Sequence, residues 1–279
     1  MTCTMRRIMT FIAALSVSVS VFAQAQITTK KEKLSDFPTK TMKVVLSGND
    51  FIDQVLRDAV NNTWGLSPFE FCTMEEFKSL MTSEEYYFLL PVKAQYKKET
   101  HPGITMLTLV KGKPGAKDID RMLEVTSLPM CAADSPSGRE AAMLPGLLDI
   151  IQGYVAKSMV SGFRDIASYT KKSPGLSKCS VIISEDDLSS RIDSKFIDRI
   201  TAKGAEVCPA EEADSIFMQG TEATLVSYTI HPAAPEVGSY CWNMFIDAKT
   251  HQLYYFRKHK ISDPEVDAGL RKGDIQKVL

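Results

Sequence analysis

The feature that most constrains this chain is an internal echo. Residues 43–110 lie over residues 179–246 at a constant offset of 136 positions, with no gap. Under that shift Val45 meets Val181, Asp50 meets Asp186, Glu70 meets Glu206, Cys72 meets Cys208, Glu75 and Glu76 meet Glu211 and Glu212, and Leu89 meets Leu225. Apolar positions between them coincide as well: Leu56 with Ile192, Phe71 with Val207, Met106 with Trp242, Leu109 with Phe245. One offset sustained over so long a span is the mark of a duplicated unit. The expected fold class is α/β, two tandem repeats of a small mixed-sheet β-α-β-α-β-β-β unit joined by a long amphipathic helix.

Local chemistry supports each element of that unit. An apolar strand at 42–46 is followed by Asn49 or Asp50, either of which caps a helix carrying Ile52, Leu56, Ala59 and Val60 on one face. A second strand at 68–72 runs into Thr73, which with Glu76 three residues on makes a capping box for a second helix. Strands follow at 86–92, 104–110 and 121–126, so parallel crossovers give way to antiparallel hairpins. Residues 139–168 carry the longest helical pattern, with Leu144, Leu147, Leu148, Ile151, Tyr154 and Val155 on one side. Pro145 is tolerated in a first turn, which predicts a start near Leu144. In the second copy Ser189 or Ser190 is the expected helix cap and Pro209 replaces Thr73. Residues 264–279 read as one terminal amphipathic helix.

The expected divisions are a signal peptide over 1–25, a flexible arm over 26–41, a first repeat with its long helix over 42–170 and a second over 176–279. Arg6 and Arg7 precede an apolar run at 8–23, and small residues around Ala23 and Ala25 offer a cleavage site. That run of 16 residues, broken by Ser and Thr, is short for a membrane span, so no transmembrane anchor is expected after cleavage. Export to a bacterial periplasm is the predicted location. Removal of Arg6 and Arg7 leaves 31 basic against 34 acidic residues, a balance that argues against nucleic acid or an anionic membrane as partner. Five cysteines remain, Cys72, Cys131, Cys179, Cys208 and Cys241, with no CxxC and no metal-like spacing. Cys72 and Cys208 in matched strands read as small buried hydrophobes, and pairing among the other three stays open.

Chemistry-bearing motifs are sparse. Glu75, Glu76, Glu211 and Glu212 occupy first helical turns, where the macrodipole is reason enough for them. His101, His231, His251 and His259 read as solvated, Gly48 has no phosphate-loop context, and no metal or cofactor is implied. The aromatic group Tyr240, Trp242, Tyr254, Tyr255 and Phe256 invites two explanations, core packing or a platform for a protein partner or glycan. In the second case Trp242, Tyr254 and Tyr255 are the binding residues. Strand alternation places Tyr254 with Phe256 on one face and Tyr255 on the other.

In element order each unit resembles the small α/β domains of periplasmic accessory proteins of the TolB amino-terminal type. The resemblance is of topology, with no shared motif, and implies a fold without an activity. The duplication, the near-neutral charge and the absence of a convergent polar cluster make the functional expectation a non-enzymatic exported binding or envelope-interaction module. The alternative is a hydrolytic enzyme with its site between the units, which predicts a pocket gathering His231 or His251 with an acid and Cys241.

Overall fold

The computed structural model describes residues 34–161 and 165–279; the expected signal peptide lies outside them, as does most of the expected arm. The described end of that arm is packed: Leu34 and Phe37 are buried, with Phe37 4.4 Å from the Tyr87 ring. Asp36 between them accepts from Tyr87 Oη at 2.8 Å and from Lys111 Nζ at 2.7 Å, so apolar and ionic contacts together anchor it.

The first unit runs β1 (Thr41–Val45), α1 (Asp50–Thr63), β2 (Phe69–Cys72), α2 (Met74–Leu80), β3 (Tyr86–Ala94), β4 (Ile104–Lys111) and β5 (Leu123–Ala132). Then comes α3 (Glu140–Ser161). The second runs β6 (Ser180–Ser184), α4 (Ser194–Thr201), β7 (Ala205–Cys208), α5 (Ala210–Met218), β8 (Thr224–Ile230), β9 (Tyr240–Asp247) and β10 (Leu253–Lys260), closed by the short α6 (Lys272–Gln276). Their sheets have the same order, β2-β1-β3-β4-β5 and β7-β6-β8-β9-β10. In each the first three strands are parallel and the last three antiparallel. The expected β-α-β-α-β-β-β unit is present twice.

Its local signals act as their chemistry dictates. Asn49 accepts from the Ile52 amide, and Thr73 and Glu76 close a reciprocal capping box. The second copy departs from expectation at its first helix, which starts at Ser194 under Asp193 and not at Ser189 or Ser190. Pro209 supplies no side-chain cap to α5. The tail forms only the short α6, because Leu270 is drawn into a parallel bridge with Leu188.

The offset of 136 holds for β2 onto β7 and for β4 onto β9, but not for the first strands. Met42 pairs with Phe69 as Val181 pairs with Ala205, so the equivalent of Val181 is Met42 and not Val45. Three residues are missing between these strands in the second copy, where the helix is shorter. An odd slip turns a strand over, and Val45 accordingly packs with Phe77 of α2 whereas Val181 packs with Phe196 of α4.

Each sheet buries both faces. Val45, Phe88 and Leu90 meet α2, while Val181, Ile183 and Leu225 meet α4 and α6. The largest cluster joins the units: Met42, Val44 and Leu89 from one sheet and Ile182, Val226 and Met244 from the other share it with α1, α3 and Phe217 of α5. This explains why α3 begins at Glu140, earlier than Pro145 suggested, and is buried nearly all round from Ala142 to Ile151. Enclosure by α1, β5 and α5 sustains a helix that carries an interior proline, whose lost hydrogen bond costs ~3 kcal/mol in an exposed helix.

A buried ion cluster fastens the same junction. Arg139 donates from Nη1 to Asp187 at 2.8 Å, from Nε to Asp214 at 3.0 Å and from Nη2 to the Ser227 carbonyl at 3.3 Å. Asp187 also accepts from Ser227 Oγ at 2.6 Å and from the Thr229 amide at 2.9 Å. Tyr228 Oη donates across the units to the Met130 carbonyl at 2.5 Å.

Candidate functional site

Where the outer strands of the two sheets approach each other, a cavity of about 230 Å³ is lined by both units. From the first come Val92 and Ala94 of β3, Tyr96 just after it, Met106, Thr108 and Val110 of β4, Ile119 and Asp120, and Glu124 and Ser127 of β5. Ile166, Trp242 of β9, and Phe256 and Lys258 of β10 complete it. Alternation explains the selection: Met106, Thr108 and Val110 are every second residue of one strand, as are Phe256 and Lys258 of another.

Its polar groups fall into two sets. Thr108 and Ser127, opposite each other in the β4–β5 ladder, bring their hydroxyls within 3.0 Å, and Ser127 Oγ donates to Glu124 Oε1 at 2.7 Å. Burial raises the Glu124 carboxyl above its ordinary value, only partly offset by that hydrogen bond, and burial raises Asp120 too. The second set is a cation over three rings. Lys258 Nζ stands 3.9 Å from the Tyr240 ring centroid, 4.2 Å from Tyr96 and 5.0 Å from Trp242. The rings touch one another, with Tyr96 and Tyr240 4.7 Å apart. Lys258 as a whole residue is exposed, but loss of water around the amine takes it down to about 8. The ring faces act the other way, since each favours the ammonium.

The expected platform residues do not form one surface. Trp242 is buried in the cavity wall, whereas Tyr254 and Tyr255 pack on the opposite face with the α4–α6 cluster. A bulge is the cause: Leu253 pairs with Ile246 but Tyr255 pairs with Phe245, so Tyr254 is an inserted residue. Tyr254 and Tyr255 therefore share a face, correcting the alternation expected from sequence. Tyr255 Oη donates to Asp274 Oδ1 at 2.6 Å, which Arg257 Nη1 also contacts at 2.7 Å.

The grouping that the hydrolase alternative needed is not assembled. His231, His251 and Cys241 line no part of this cavity. His231 Nδ1 is 2.8 Å from the Pro232 carbonyl. His251 stacks on Phe217 at 5.2 Å with Nδ1 2.6 Å from Asp149 Oδ2, and only His101 keeps the exposed character expected of all four histidines. Cys241 sits beside buried Asn243 and His259 and accepts from the Gly269 amide at 3.3 Å. Burial pushes its thiol up to about 12 and takes His259 down, the reverse of what a thiolate–imidazolium pair requires. The other four described cysteines are free and buried too, Cys72 and Cys208 among them as expected. Among the described residues no group of His, Cys, Asp and Glu is placed to hold a metal ion, and no helix is long and apolar enough to cross a membrane.

Lys258, Tyr96, Glu124 and Ser127 were not singled out by sequence reasoning. Comparison with known proteins adds no assignment. The chain has no significant match to a protein-family model, a curated protein or a solved structure.

Proposed function

We propose that this chain is an exported, non-enzymatic binding module and that its ligand site is the cleft between the two units. The observation that carries the reading is convergence: an ammonium, a carboxyl and two hydroxyls from both units face one apolar cavity. Ligand sites favour such junctions, with few polar groups set in an apolar wall. The apolar run at 8–23 after Arg6 and Arg7 supports export, and the near-neutral charge supports a small molecule or protein as partner over nucleic acid.

One observation favours a second reading. Ser127 donates to Glu124, a hydroxyl beside a carboxylate able to accept its proton, which is the minimum a hydrolase needs. The test sets both against each other. Protein purified from its own cells is denatured and any released small molecule is measured by mass spectrometry, alongside turnover of nitrophenyl esters and anilides. A compound retained by the wild type and lost in Met106→Trp, with no turnover, supports the module. Turnover abolished by Ser127→Ala replaces it with the enzyme.

A further inference from the structure

The charge pattern of the cleft narrows what it binds. Among the described residues no carboxylate forms an ion pair with Lys258. Glu99 is the one acid whose field favours its charge; its Oε2 accepts from the Tyr96 amide at 2.7 Å and its Oε1 is buried without a hydrogen-bond partner among the described residues, yet it makes no ion pair with Lys258. Three aromatic faces hold the amine at the cavity lining. Ring faces offset part of an ammonium's lost hydration but do not neutralise it. A partly dehydrated cation is best stabilised by an anion with good geometry, and here the protein brings none into contact.

Val92, Met106, Val110, Ile119 and Phe256 form the apolar part of the wall. Thr108, Ser127 and Glu124 are hydrogen-bonded among themselves, Asp120 also lines the cavity, and burial shifts both acids toward the neutral form, so they make little demand for a cation. A volume of about 230 Å³ lies below the ~300–1,000 Å³ of sites for drug-sized ligands, which limits the occupant to one ring or a short chain.

We propose that the cleft takes a small amphipathic monocarboxylate, its carboxylate on Lys258 Nζ and its hydrocarbon body along Met106, Val110 and Phe256. This rests on the cleft being the ligand site, and the experiment separates the two. Octanoate, 3-phenylpropionate, octan-1-ol and octylamine are titrated calorimetrically into the full chain, Lys258→Gln and Met106→Trp. Octanoate or phenylpropionate is expected to bind more tightly than the alcohol or the amine. Lys258→Gln should weaken the carboxylates about ten- to a hundredfold, the loss of one charge-assisted hydrogen bond, and leave octanol unchanged. Met106→Trp should abolish all binding. Octanol or octylamine binding at least as well as octanoate, or carboxylate binding indifferent to Lys258→Gln, overturns the carboxylate assignment while the cleft stands. Absence of binding by every probe, or binding untouched by Met106→Trp, overturns the carboxylate assignment and the cleft together.

Discussion

Arg139 is the residue whose replacement most directly tests how the two units are joined. It lies at the entry to α3 in the first unit, 8 % exposed, and both acids it contacts belong to the second. Arg139→Met keeps the apolar stem and removes the charge. Asp187 then retains the Ser227 hydroxyl and the Thr229 amide, but Asp214 loses the contacts that Arg139 Nε makes to its two oxygens. Breaking a buried ion pair from one side costs about 3–5 kcal/mol. At about 2–4 °C per kcal/mol for a chain of this size, the midpoint should fall by roughly 6–20 °C at pH 7. The sign with pH is also set. Without the guanidinium, the Asp214 carboxyl rises further above its unfolded value, so the folded variant binds its proton more readily than the unfolded chain. Its stability deficit must therefore narrow as pH falls toward the carboxylate range. Calorimetric melts of both proteins from pH 7 to pH 4 read this directly. A loss under about 1 kcal/mol, or a deficit that does not change with pH, refutes a buried charge cluster as the fastening.

Two further outcomes follow from buried groups. His259 is 6 % exposed and lowered by burial, so the unfolded chain takes its proton first; stability should decline as pH falls below about 6.5, and His259→Gln should flatten that slope in denaturant titrations. Cys72, Cys131, Cys179, Cys208 and Cys241 are each at most 7 % exposed and free. In a Cys3→Ser background none should react with a thiol reagent in the folded state and all should react in guanidinium; fast native labelling of any one contradicts its burial.

Much of the fold is legible in the sequence because it is written locally. A cap is decided by residues three apart, as with Asn49 and Ile52 or Thr73 and Glu76, and strand period follows from side-chain alternation. The recurrence of these signals in order was enough to predict the same unit twice. The chain could not reveal by itself where single-residue and three-residue slips occur. Continued outward from Leu253 with Ile246 and no slip, the β9–β10 hairpin places Arg257 opposite Trp242; the bulge at Tyr254 substitutes Lys258 and turns it onto the ring cluster. Tyr96 lies in the other unit, so no hairpin pattern brings it to that amine.

Local order, the repeat and the burial of Cys72 and Cys208 were thus determined by sequence, through interactions that span a few residues or one strand period. Tertiary structure decided the rest: the enclosure that lets α3 run through Pro145, the Arg139 cluster, the meeting of Lys258 with Tyr96, and the placing of both in one cavity with Thr108 and Ser127. These depend on how two sheets face one another, and a bulge that reverses a strand face alters that without any strong signal in composition or periodicity.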